Sequence, residues 1–132
     1  MSLDVSPELL AAADRDEVSD ADFVACVRDS LPYAWQVVSS VAGAEPVPGS
    51  PTVHEVPPPS EAERGQLLRA LASDAIRGGL ERHFGVRLAF QNCHKVAAFA
   101  PAGLDGADAA TYAAFVSPRG QLLNQSPALR DC

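Results

Sequence analysis

The stretch HFGVRLAFQNCHKVAAF, residues 83–99, decides the fold, because the apolar period changes within it. Before it, apolar residues recur every three or four positions; from Val86 they alternate. Val86, Leu88 and Phe90 alternate with Arg87, Ala89 and Gln91, the pattern of a strand with two unlike faces. Residues 96–99 are continuously apolar, end shortly before Pro101 and read as a second, buried strand. Gly85 marks the junction, since glycine just past a helix suits the left-handed cap. The polar knot Asn92-Cys93-His94-Lys95 then reads as a hairpin turn, where Asn tolerates positive φ.

Upstream, SEAERGQLLRALASDAIRGGLERHFG opens with a capping box, Ser60 with Glu63 three residues on. Leu67, Leu68, Leu71, Ala75, Ile76, Leu80 and Phe84 form an apolar face at helical spacing, which predicts one long central helix. Gly78 and Gly79, each costing about 1 kcal/mol relative to Ala in a helix, predict close packing or a break in its last turns. Residues 45–59 hold six prolines in EPVPGSPTVHEVPPP, which excludes regular helix and predicts a stiff surface connection. Before that connection, Ser6-Pro7 and Ser19 are helix starts. Phe23, Val27, Leu31, Ala34 and Val38 keep helical spacing, and Pro32 divides them into two helices or one kinked helix ending near Gly43.

Downstream, residues 102–110 read as a loop. Residues 112–116 read as a third strand, Ser117-Pro118-Arg119-Gly120 as a turn and residues 121–124 as a fourth strand. The last residues, QSPALRDC, read as one helical turn or an extended tail. The expected architecture is α+β: N-terminal helices and one long central helix packed on an antiparallel sheet of three or four strands, with residues 1–132 as one domain.

The chain has 132 residues and a net charge of −7, which disfavours generic binding to a nucleic-acid backbone. The charge is polarised. Residues 1–60 carry ten acids against two arginines, whereas residues 61–100 carry five arginines and Lys95 against four acids. The N-terminus has neither the basic nor the apolar segment of a secretory signal, and no window is apolar enough to span a membrane. A cytoplasmic setting is expected. There the three cysteines, odd in number and widely spaced, do not read as a disulfide framework.

Candidate chemistry centres on Cys93. A thiol becomes nucleophilic when a histidine or helix terminus lowers its pKa, and His94 and His83 are the candidate bases. Adjacency alone gives His94 poor geometry, because strand neighbours point to opposite faces. A metal site would need Cys26, His54, His83, Cys93, His94 and Cys132 to converge from distant segments, for no CxxC, HxH or HxxxH pair exists. Cys26 otherwise reads as a small hydrophobe on its helix. Arg69 and Arg77, eight residues apart, share a helix face and are candidate contacts for an anionic partner, unless they pair with Asp74, Glu81 and the acidic first half. Tyr33 and Trp35, beside Pro32, are candidate interface anchors. The segment GLDGAD lacks the Lys-Ser/Thr ending of a phosphate loop, and no GxSxG, HExxH or dinucleotide fingerprint appears.

The strings SLPYAW, RGQLLRALASDAIRG, RHFGVRLAFQNCHKVA and RGQLLNQSPALRDC resemble an uncharacterised family of small actinobacterial proteins. The resemblance implies a bacterial, intracellular setting and carries over no activity, cofactor or partner. With nine arginines to one lysine, the composition fits a GC-rich genome. The sequence is therefore read as a non-enzymatic interaction or regulatory protein without a cofactor, whose partner is another protein or a second copy. A thiol-dependent enzyme or redox sensor using Cys93 is the alternative, and a metal-binding module using the dispersed Cys and His residues is the third.

Overall fold

The computed structural model describes residues 2–91 and 94–123. Serine caps start four of its helices. In α1 (Pro7–Asp14) the Ser6 hydroxyl accepts the Leu9 N–H at 3.1 Å, with Pro7 in the first turn where no N–H is needed. Ser19 does the same for α2 (Asp20–Ser30), accepting the Asp22 N–H at 3.1 Å. Pro32 separates α2 from α3 (Pro32–Gly43), so the kink resolves into two helices meeting at Leu31. Leu31 has no side chain to cap α3, and a distant glutamine takes that role. The Gln66 amide oxygen accepts the N–H groups of Tyr33 at 2.7 Å and Ala34 at 3.3 Å.

The expected long central helix is two helices, α4 (Glu61–Leu71) and α5 (Asp74–Phe84). At the start of α4 the Ser60 hydroxyl accepts the Glu63 N–H at 3.1 Å and donates to the Glu63 carboxylate at 3.1 Å. Ser73 caps α5 by accepting the Ile76 N–H at 3.3 Å. The buried leucines explain the division: Leu67 and Leu71 are four apart, but the next deeply buried residue is Ile76, five further on. A five-residue step falls out of phase with 3.6 residues per turn, and a break at Ala72-Ser73 restores it. The two glycines cause no break. A Cβ on Gly79 would lie 3.1 Å from the Phe23 ring, so its bareness lets α2 and α5 approach closely. Gly85 ends α5 at φ 69°, the left-handed cap expected of it.

Strands β2 (Arg87–Gln91) and β3 (Lys95–Phe99) pair antiparallel, with Leu88 opposite Ala98 and Phe90 opposite Val96. A third strand, β1 (Thr52–His54), comes from inside the proline-rich connection and pairs with β3, giving the order β1-β3-β2. One sheet face, with Leu88, Val96 and Ala98, joins Val27, Leu31, Val38, Leu67, Leu71, Ile76 and Leu80 in the main core. The other face, with Ala89, Ala97 and Phe99, packs against Leu104, Tyr112 and Phe115.

Those last two residues lie on a helix. Residues 112–115 of the expected third strand lie in α6 (Ala109–Phe115); of the expected fourth, residues 121–123 lie in α7 (Pro118–Leu123) and residue 124 lies outside the described residues. Tyr112 and Phe115 are three apart, which in a helix places both rings on Phe99, at centroid distances of 5.4 and 6.4 Å. A strand would send them to opposite faces. The fold class is α+β, with the described sheet limited to three strands. Among the described residues no helix is long and apolar enough to cross a membrane.

Candidate functional site

An acidic concavity is lined by residues of α1 and α2. The extended segment before α1 is tied to α2 by the Asp4 N–H, which donates to the Ser30 hydroxyl at 2.9 Å. The resulting groove, about 390 Å³, is lined by the apolar Leu9, Ala12 and Ala25 and by the acids Asp4, Glu8, Asp22 and Asp29. The described residues lining it include no basic side chain. Cys26, half-buried here, lies 3.5 Å through sulfur from the Asp4 carbonyl and 3.8 Å from the Ser30 hydroxyl. It is thus a wall residue of a polar groove and not a core hydrophobe. The clue available in sequence was the acid excess of residues 1–60; its concentration in one groove follows from the tie of the Asp4 segment to Ser30 and Cys26 of α2.

Histidines occupy two other places. His83 is exposed on α5 and belongs to an aromatic group, 5.5 Å from Trp35 and 4.7 Å from Phe84 between ring centroids. Trp35 is correspondingly a half-buried anchor between α3 and α5. His94 is buried, 6% exposed, in the turn just before β3. Its Nδ1 is buried without a hydrogen-bond partner, as is Nε2 of His54 on β1. Burial, then the neighbouring Lys95 charge, push His94 below the ordinary histidine range; Glu55 opposes this and His54 adds to it.

Of the candidate arginines, Arg77 is occupied internally. Arg77 donates to the Leu71 carbonyl at 2.9 Å and pairs with Asp74 at 2.6 Å. Arg87 lies 3.6 Å from Glu81, whose carboxylate also accepts the Leu88 N–H at 2.8 Å and so closes the outer edge of β2. Arg69 is half-buried in the last turn of α4. Tyr33 packs against the core, and burial followed by the Glu63 charge raises its phenol pKa.

Cys93 and Cys132 lie outside the described residues, so the thiol pairings expected of them have no structural counterpart here. Among the described residues, no group of three or more His, Cys, Asp and Glu side chains is placed to hold a metal ion. The candidates Cys26, His83 and His94 therefore do not form such a group.

Fold and groove together define a small α+β protein with an acidic helix-pair surface. The chain belongs to the family described as "NucS shadow ORF", whose model matches residues 1–132 and whose short name also carries the label KH. No curated protein and no solved structure matches the chain.

Proposed function

We propose that the chain is a non-enzymatic interaction protein that receives a basic segment of a protein partner in the α1–α2 groove. The observation that carries this is the groove's composition: Leu9, Ala12 and Ala25 share its lining with four carboxylates. Such a surface attracts Lys or Arg side chains from a distance, and its apolar residues accept their aliphatic stems. The cytoplasmic, actinobacterial setting implied by the sequence resemblance is part of the proposal.

A nucleic-acid role is not part of it. KH modules clamp four backbone nucleotides with a GXXG loop. The GXXG tetrapeptide here is Gly103-Leu104-Asp105-Gly106, which carries an acid and abuts the buried Asp108. Negative charge at that loop repels phosphate, and net charge −7 adds to the repulsion.

The test is fluorescence anisotropy with a labelled arginine-rich peptide, and an equally long acidic peptide as control. The arginine-rich probe should bind, weaken with added salt, and weaken further against Glu8→Gln/Asp22→Asn. Equal binding of the acidic control, or indifference to the double substitution, would sink the proposal.

A second reading comes from the family's printed description. On this reading the printed words "shadow ORF" denote an open frame overlying the NucS coding sequence that yields no protein. Agreement between local and tertiary signals supports a real folded product. Ser6, Ser19, Ser60 and Ser73 each cap a helix, and Gly85 ends one at positive φ. Mass spectrometry of source cells decides between the two. Tryptic peptides 70–77 and 88–95 should be detected; NucS peptides without them would favour the silent frame.

A further inference from the structure

We propose that the concavity between the β2–β3 hairpin and helices α6 and α7 binds a small phosphomonoester, with Lys95 and Arg119 as its phosphate contacts. The sheet register places the first of them. Gln91 and Lys95 stand opposite each other at the closing end of the hairpin, so their side chains share one sheet face. The Gln91 amide donates to the Phe115 carbonyl at 2.9 Å, which identifies that face as the one covered by α6. Helix α7 brings the second contact. A Cβ on Gly120 would collide with the Ala114 carbonyl and crowd the Gln91 side-chain nitrogen, so its bareness lets α7 close on both α6 and the end of β2. Arg119 is the residue before it. The result is an open concavity of about 350 Å³ whose lining includes Lys95, Thr111, Phe115 and Arg119.

Its charge runs against that of the chain. In a protein of net charge −7, the described residues lining this concavity include two cations and no acid. Among the described residues no acid pairs with Arg119. Lys95 pairs with Glu55 at 3.3 Å, but the Glu55 side chain is 65% exposed and lies outside the lining. A pair so open to water is weak, and a doubly charged anion competes with it. The arginine fork takes two phosphate oxygens at once, and the lysine ammonium adds a point charge. A phosphomonoester carries about −1.5 to −2 charge at pH 7, which two cations match, whereas a carboxylate leaves one of them unanswered. The Thr111 hydroxyl is a further donor, and Phe115 and Leu123 supply apolar surface for the ligand's organic body. The small volume and the overall negative charge disfavour an extended polyanion. The concavity shares no lining residue with the α1–α2 groove, so the proposal stands apart from the partner-binding reading.

The experiment is a calorimetric titration of the full chain with phenyl phosphate, with inorganic phosphate and benzoate as comparison ligands. Phenyl phosphate should bind with one equivalent, weaken as salt is added, and bind more tightly than either comparison ligand. Arg119→Gln and Lys95→Gln should each weaken it roughly tenfold or more, the loss of one charge-assisted hydrogen bond. Arg15→Gln, at the end of α1, should leave it unchanged. Lys95 is the chain's only lysine, which gives a readout that needs no substitution. Phenyl phosphate should slow acetylation of Lys95, followed by mass spectrometry, and leave that of the N-terminal amine unaltered. Absence of binding overturns the proposal, as does binding that survives both substitutions. Benzoate bound as tightly as phenyl phosphate would overturn the choice of phosphate, and inorganic phosphate bound as tightly would overturn the organic ligand.

Discussion

Both carboxylate oxygens of Asp108 accept the backbone N–H of Gly49 at 3.1 Å, across 59 residues of sequence. Asp108 is 2% exposed and clasps the turn that delivers the chain into β1. Gly103 stands so close that a Cβ there would collide with the Asp108 carboxylate and the Pro48 backbone. Asp108→Ala should therefore lower unfolding free energy by about 1–3 kcal/mol, the cost of stranding a buried donor. Gly103→Ala should destabilise by disturbing the same contact. In urea denaturation the double variant should lose less than the two single losses together, because they break one arrangement. Strict additivity would show that the clasp is not shared.

The division between α4 and α5 depends on Ser73, whose hydroxyl is the cap of the second helix. Ser73→Ala should cost about 1 kcal/mol. At the other end of α5, Gly85→Ala forces a side chain into φ 69° and should cost about 1–2 kcal/mol. The two sites lie a full helix apart, so here the losses should add. A Ser73→Ala variant as stable as wild type would mean that packing alone sets the break.

These elements show how far the sequence could be read. Helices α1 to α3 were legible because Ser6-Pro7, Ser19 and Pro32 are local signals with local consequences. The β2–β3 hairpin was legible because its period differs from that of the preceding helix. Strand β1 was hidden, since three residues between prolines carry no measurable alternation and gain their pairing only from β3. Tyr112 and Phe115 suggested a strand by composition, yet their three-residue spacing served a helix laid on Phe99. The acid excess of the first sixty residues was visible as a number. That four of those acids share a groove with Cys26 depends on the docking of the Asp4 segment on α2, which no local signal encodes.

Arg82 grips Asp20 with two hydrogen bonds, at 2.8 and 3.1 Å, joining α5 to the first turn of α2. The hydrogen bond, reinforced by the Arg82 charge, holds the Asp20 carboxyl below its ordinary value of 3.8. A depressed carboxylate stabilises the fold above its unfolded pKa and loses that contribution as pH falls through the folded value. Arg82→Gln should return Asp20 toward its ordinary value in a carboxyl NMR titration. The pair is exposed, so the effect on overall stability should be small and screened by salt. An Asp20 titration unaffected by the substitution would mean that the pair does not persist in solution.

His94 gives the part of the acid range nearer neutrality its own signature. Its folded pKa is depressed below the ordinary 6.5 by burial, by Lys95 and by His54, with Glu55 pulling the other way. The unfolded chain therefore takes up a proton first as pH falls. Stability from keeping His94 neutral is complete above about pH 6.5, begins to decline below it, and is lost progressively down to the folded pKa. His94→Gln removes the titrating group while keeping a polar side chain of similar reach. Urea denaturation at pH 7.5 and pH 5.5 should show a smaller pH-dependent loss in His94→Gln than in wild type, whatever the variant's absolute stability. His83 is exposed on α5. His83→Gln should consequently retain the wild-type difference between the two pH values. Equal pH dependence in wild type and His94→Gln would show that His94 is not held neutral by its burial.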